Sequence, residues 1–181
     1  MERKVQIGLI GDSKIRNKTQ YDICYEIGKE VAQADAILIC GGRGGVMAAA
    51  CKGVYDSGGF SVGILPTNER DPEVNKYLTV RIPTFLHWGR NVLVPLASDG
   101  VIACGGGAGT LSELAFTWMN EKPLVCISTI PGWSREIGER GFIDDRRSLF
   151  KILNAKTGSE AVKKVLSVVQ GLNNERSPDC D

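Results

Sequence analysis

The feature that most constrains this chain is a repeated unit: a short unbroken apolar run, often closed by glycines, then a helical pattern. The runs occupy residues 5–10, 36–40, 61–65, 78–82, 100–104, 124–128 and 149–153. Continuous rather than alternating apolar runs suit strands covered on both faces, as in parallel sheets. Helical patterns fill residues 19–34, 46–56, 85–97, 111–120 and 159–172. Strand and helix in alternation specify right-handed crossovers, so the expected fold is α/β and Rossmann-like. The sheet is mainly parallel, with about seven strands and helices on both faces. A chain of 181 residues is long enough for one full domain and short for two. Residues 1–172 are therefore read as a single domain, and residues 173–181 as a polar tail without a functional role.

Three of the runs end in glycine clusters: Gly8 to Gly11 followed by Asp12 and Ser13, Gly41 to Gly45 as GGRGG, and Gly105 to Gly109 as GGGAG. In a doubly wound sheet such loops share the carboxyl edge, where ligands bind near the topological switch point. A glycine-rich turn that opens a helix leaves N–H groups unobstructed and presents the positive end of the helix dipole, which suits a phosphate. One such loop is read equally well as a plain tight turn. Two on one edge favour an anion site, with Gly11, Ser13, Gly41, Gly42, Gly44, Gly45, Gly106, Gly107, Gly109 and Thr110 as its expected residues. No lysine or arginine lies between Gly105 and Glu113, which excludes a P-loop ATPase. The segment GLIGDSK lacks the third glycine of the dinucleotide fingerprint, and Cys40-Gly41-Gly42 stands where its ribose-binding acid belongs. A conventional NAD enzyme is excluded on those grounds.

The formal net charge of +1, with 24% charged and 43% hydrophobic residues, gives no reason to expect nucleic acid or an anionic membrane as partner. The start MERKVQIGLI has no long apolar segment, and no later run is long enough to span a bilayer, so the protein is expected to be cytoplasmic. Six cysteines occur without a CxxC pair, and Cys40, Cys104 and Cys126 sit in or beside apolar runs as reduced core residues would. His87 is the single histidine, so no metal site is expected. The polar stretch at residues 66–76 reads as a loop over the carboxyl edge or a solvated connector, and residues 132–148 as a charged flap over the ligand or a solvated connection; the connection is the favoured reading of both, in the second because its charges nearly balance.

Glu113 carries two readings. Thr110-Leu111-Ser112-Glu113 has the capping-box pattern, in which Glu113 folds back onto the helix start. Leu111, Leu114, Ala115 and Trp118 form the stripe expected to face the sheet, which puts Glu113 on the opposite side. There it can instead stand beside a phosphate loop and hold ribose hydroxyls or a water. Phe116 also falls on that polar side, where a partner subunit could cover it.

The motifs GGRGGVMAAACKG (Gly41 to Gly53), GRNVLV (Gly89 to Val94) and GGGAGTLSE (Gly105 to Glu113), in this order, resemble the Lonely Guy or "lysine decarboxylase-like" nucleotide-binding superfamily. The resemblance runs from Val5 to about Val169 and is nearest to a small bacterial and archaeal branch that is also similar to the molybdenum cofactor carrier proteins. It implies a homodimer or higher homo-oligomer, with a nucleoside monophosphate or similar phosphorylated small molecule over the glycine loops. In the Lonely Guy enzymes the signature PGGxGTxxE serves hydrolysis of the N-glycosidic bond of a nucleoside 5′-monophosphate, giving free base and ribose 5-phosphate. Carried over, its glycines fall on Gly106, Gly107 and Gly109, its threonine on Thr110 and its glutamate on Glu113, and the family's catalytic arginine matches Arg90. Cleavage builds positive charge on the ribose, which a carboxylate at Glu113 would stabilise, while Arg90 would hold phosphate or brace the carboxylate.

Three positions depart from the enzymes: Gly105 replaces the signature proline, Arg90-Asn91 replaces an Arg-Lys pair, and Pro95 interrupts the helix after Arg90. The resemblance therefore implies either a phosphoribohydrolase or a non-catalytic carrier of a phosphorylated ligand such as molybdenum cofactor or a nucleotide. No resident cofactor is implied, and without a pyridoxal phosphate site the decarboxylase label does not describe this chain.

Overall fold

The computed structural model describes residues 3–145 and 151–175. Its strands are β1 (Gln6–Gly11), β2 (Ile37–Cys40), β3 (Phe60–Leu65), β4 (Val80–Pro83), β5 (Gly100–Cys104), β6 (Leu124–Ile127) and β7 (Leu153–Ala155). They form one sheet in the order β4-β3-β2-β1-β5-β6-β7, and every pairing is parallel. The fold is thus the expected α/β Rossmann-like sheet. Strands β5 and β6 are buried along their whole length, which explains why their sequences do not alternate.

Helices α1 (Lys18–Gln33), α2 (Val46–Asp56) and α6 (Gly158–Glu175) pack on one face, where Ile27, Val31, Val54 and Val165 join Ile7, Leu9 and Leu38 of the sheet. The other face carries a 3-10 turn (His87–Val92), α3 (Leu93–Leu96), α4 (Ala108–Met119) and α5 (Trp133–Arg140), built around Val94, Leu114, Trp118 and Ile137. Chain progression reverses between β1 and the adjacent β5, with α1 and α4 leaving on opposite faces. The two glycine loops that end these strands therefore flank the switch point.

Helices α1 and α2 cross closely because each has a glycine at the contact. A methyl group at Gly28 would collide with the Ala50 carbonyl oxygen, and one at Gly53 with that of Tyr25. Because backbone cannot yield as a side-chain tip can, Gly28→Ala is expected to cost about 1–3 kcal/mol. A fall in melting midpoint of roughly 2 °C or more would register it, and an unchanged midpoint would contradict the close crossing.

Four local expectations are revised. Residues 132–148 are not only a connection: α5 forms between Gly132 and a left-handed Gly141, with Ser134 and Ile137 buried, while residues 146–148 lie outside those described. Residues 85–97 form the 3-10 turn and a single α turn rather than one helix. The last strand begins at Leu153, because the Ile152 N–H donates to the Gly141 carbonyl and not to the sheet; of the expected range, residues 149–150 are outside those described. Helix α6 continues through Glu175, into the stretch read as a tail. Among the described residues no helix is long and apolar enough to cross a membrane. The five described cysteines are buried free thiols.

Candidate functional site

The site grows from the paired ends of β1 and β5, where Gly11 lies opposite Cys104. Asp12 follows β1 and accepts hydrogen bonds from Arg16 Nε and Nη2 at 2.8 and 2.9 Å and from Gln20 Nε2 at 2.8 Å. Burial raises its carboxyl, but the Arg16, Gln20 and Gly106 N–H donors outweigh burial and hold it below the usual carboxylate range. An ionised Asp12 thereby fixes the start of the loop after β5. Gly105 in that loop has φ +69°, and a side chain there would collide with the Asp12 carboxylate.

A second clamp comes from α5. Ser134 Oγ accepts from the Gly105 N–H at 2.7 Å and donates to the Ile127 carbonyl at 3.1 Å. The N–H groups of Trp133 and Ser134 donate to the carbonyls of Gly106 and Gly105 at 3.1 and 3.0 Å. Both peptide groups of the loop are thus engaged from below, and α4, with Gly107 as its N-cap, has no side-chain cap and no acid in its first turn. Its uncapped N–H groups and dipole favour an anion at that end.

Because the N-cap of α4 is Gly107, Thr110 is already inside the helix and the capping box does not form. The buried stripe is also rotated: Thr110, Glu113, Leu114, Thr117 and Trp118 face inward, while Leu111, Ala115 and Phe116 are only half-buried. Thr117 donates to the Glu113 carbonyl at 2.7 Å, which satisfies its hydroxyl within the helix. The Glu113 carboxylate faces the 3-10 turn and accepts from Arg90 Nη1 at 3.0 Å, with both side chains more than nine-tenths buried. Burial raises the Glu113 carboxyl to about 7 even though Arg90 pulls it down. Arg90 Nε has no hydrogen-bond partner among the described residues. The guanidinium lies directly against Gly41, where any side chain would strike it.

These groups border a cleft of about 490 Å³ at the carboxyl edge. Of the residues expected there, Gly11, Ser13, Arg90, Gly107, Gly109, Thr110 and Glu113 line it. The others lie behind the lining. Gly41 backs Arg90, Gly42 turns toward Leu65 and accepts from the Asn75 N–H, Gly44 approaches the Ser13 carbonyl, Gly45 precedes α2 against the Asp12 to Lys14 backbone, and Gly106 packs on Thr110.

The cleft is also lined by Asp12, Arg43, Met47, Pro66, His87, Trp88 and Asn91, which are not among the expected site residues. Arg43 is held by Asp71 and Glu73 at 3.3 and 2.5 Å. Asn91 Nδ2 donates to Ser112 Oγ at 2.9 Å, and Ser112 donates to the Gly109 carbonyl at 2.7 Å, which ties the 3-10 turn to the first turn of α4. Its place after Arg90 was the one cue to Asn91. Among the described residues no three His, Cys, Asp or Glu side chains group as metal ligands would.

The profile of the SLOG cluster4 family matches residues 4–162. This chain belongs to the SLOG cluster4 family. It is 31% identical over 166 residues to a probable cytokinin riboside 5′-monophosphate phosphoribohydrolase of Oryza sativa subsp. japonica, covering 82% of this chain and 77% of the relative. Its fold is similar to that of the molybdenum cofactor binding protein of Rippkaea orientalis, with TM-score 0.79, 29% identity, and coverage of 93% of this chain and 99% of that one. The molybdenum cofactor carrier protein of Chlamydomonas reinhardtii is similar with TM-score 0.77 and 27% identity, over 93% and 99% of the two chains. As a SLOG member, this chain thus has relatives of both kinds that its motifs resemble.

Proposed function

We propose that this protein binds a phosphorylated small molecule, with its phosphate at the start of α4, and serves as a carrier of that ligand. The carrying observation is the uncapped first turn of α4, held open toward the cleft by the Asp12 and Ser134 clamps. Similarity to the Rippkaea and Chlamydomonas proteins over nearly the whole of their chains supports molybdenum cofactor as the ligand, and similarity to the rice relative supports a nucleotide. Asn91 supports carriage over hydrolysis: a neutral amide engaged with Ser112 stands where the enzymes have a second cation. The test is calorimetric titration with molybdenum cofactor and nucleoside monophosphates, alongside an assay for base release. Saturable binding with no release is expected, and failure to bind any of them removes the proposal.

A second reading, phosphoribohydrolase activity, is favoured by the Arg90–Glu113 pair beside the same helix end and by the similarity to the rice enzyme. In that reading Glu113, ionised above about pH 7, faces the positive charge that develops on the ribose. Free base and ribose 5-phosphate would then appear in the assay, with the rate falling as pH drops below 7. Glu113→Gln would lower that rate by about 10²-fold or more. Under the carrier reading the same variant releases Arg90 from its partner and is expected to tighten phosphate binding; a weakened affinity would count against it. We also propose a homodimer or larger homo-oligomer, which light scattering showing a monomer would reject.

A further inference from the structure

The tryptophan at the mouth of the cleft is not explained by packing. Trp88 is 80% exposed, more than any other large apolar side chain among the described residues, and it lines the same cleft as Arg90 and Thr110. Its ring edge, at Cζ3, lies 3.5 Å from where a side chain on Gly109 would begin, so the indole stands over the first turn of α4. A single surface tryptophan is ordinary, but one held beside a phosphate-sized cradle in a concave site has a recognition chemistry.

The backbone that presents Trp88 is strained. Phe85 and His87 both have positive φ, at +57° and +47°, which bulky residues adopt only when their surroundings impose it. Those surroundings are the end of β3 and the residue after it: Thr84 donates to the Leu65 carbonyl through both N–H and Oγ1, at 3.1 and 2.7 Å, and the His87 N–H donates to the Pro66 carbonyl at 3.0 Å. The strain buries neither Phe85 nor Trp88, so core packing does not account for it. Arg90, just beyond, leaves a nine-tenths-buried donor at Nε without a partner in the wall of the same cleft.

We infer that Trp88 is a stacking platform for a planar heterocycle, so that the cleft selects phosphorylated heterocycles over simple sugar phosphates. The inference rests on the phosphate-binding reading above and adds the residue that recognises the ring of the ligand. Every purine, pyrimidine or pterin has a π-face, so an indole selects the class without naming the member. The phosphate positions the ligand on α4, and the ring lies against Trp88.

The test titrates wild type, Trp88→Ala and Trp88→Phe with AMP, GMP and ribose 5-phosphate, with particle mass followed by light scattering. Wild type is expected to bind the nucleotides about tenfold or more tighter than ribose 5-phosphate. Trp88→Ala should erase that preference while leaving ribose 5-phosphate affinity unchanged, and Trp88→Phe should keep most of it. A nucleotide preference that survives Trp88→Ala overturns the inference. So does an equal loss of all three ligands, which together with a fall in particle mass would mark Trp88 as a subunit contact. If wild type binds ribose 5-phosphate as tightly as the nucleotides, only the Trp88 inference fails. If it binds none of the three, the Trp88 inference fails, and the phosphate-binding reading fails with it only where molybdenum cofactor also does not bind. Since the side chain is exposed, the alanine variant should melt with wild type, which separates loss of recognition from loss of fold.

Discussion

Replacing Arg90 with methionine is expected to cost about 3–5 kcal/mol of unfolding free energy at pH 8 and much less at pH 5. The Glu113 carboxyl is raised from its ordinary 4.5 to about 7, so the folded protein binds a proton more readily than the unfolded chain. That contribution favours folding below the unfolded value and is lost as pH rises through about 7. Burial is the largest influence on Glu113, and Arg90 opposes it through both its charge and its hydrogen bond. Without the guanidinium only burial remains, the Glu113 carboxyl moves further up, and at pH 8 the folded state must hold an unpaired buried carboxylate or take up a proton. At pH 5 the carboxyl is already neutral, and the loss shrinks to packing against Gly41 and one hydrogen bond. Urea unfolding at the two pH values measures the difference. Equal losses at both would show that the pair does not carry charge in the folded protein.

Gly105→Pro, which would restore the signature residue of the hydrolases, is expected to destabilise by more than about 3 kcal/mol. Proline requires φ near −65°, whereas Gly105 has φ +69°. The substitution also removes the N–H that donates to Ser134 Oγ and drives a side chain into the Asp12 carboxylate. A melting midpoint at least about 6 °C lower is the expected reading. Gly107→Ala is the control: its φ of −105° and its empty surroundings admit a methyl group, so stability should change by no more than about 0.5 kcal/mol. A Gly105→Pro protein as stable as wild type would show that the loop has an alternative path. The loop here is therefore built differently from one that carries proline, around Asp12 and Ser134.

The middle of the sheet was legible because its inner strands are buried on both faces. β1, β2, β5 and β6 read as unbroken apolar runs, and the glycines that end β1 and β5 mark the edge where the cleft opens. Weaker signals failed where the chain is less buried or less regular. At the edge strand β7 the burial is mixed, so the apolar residues just before it displaced the expected start. The charged surface of α5 concealed Ser134 and Ile137, inward residues that make it a helix with a task.

Residue types and spacing alone determined the fold class, the edge of the sheet that carries the site, and the candidacy of Glu113, while Arg90 became a candidate through the family resemblance. Tertiary structure alone decided what Glu113 does. Thr110-x-x-Glu113 fits a helix that begins at Thr110 as a capping box, and it fits one begun at Gly107 with both residues buried. Those starts differ by three residues, a rotation of about 300°. The choice was made from a distance, by Ser134 of α5 gripping Gly105 across 29 residues of chain and by Asp12 filling the space above it. Local pattern cannot register contacts that exist only once α5 and β1 are in place, and those contacts turn Glu113 away from the cap and onto Arg90.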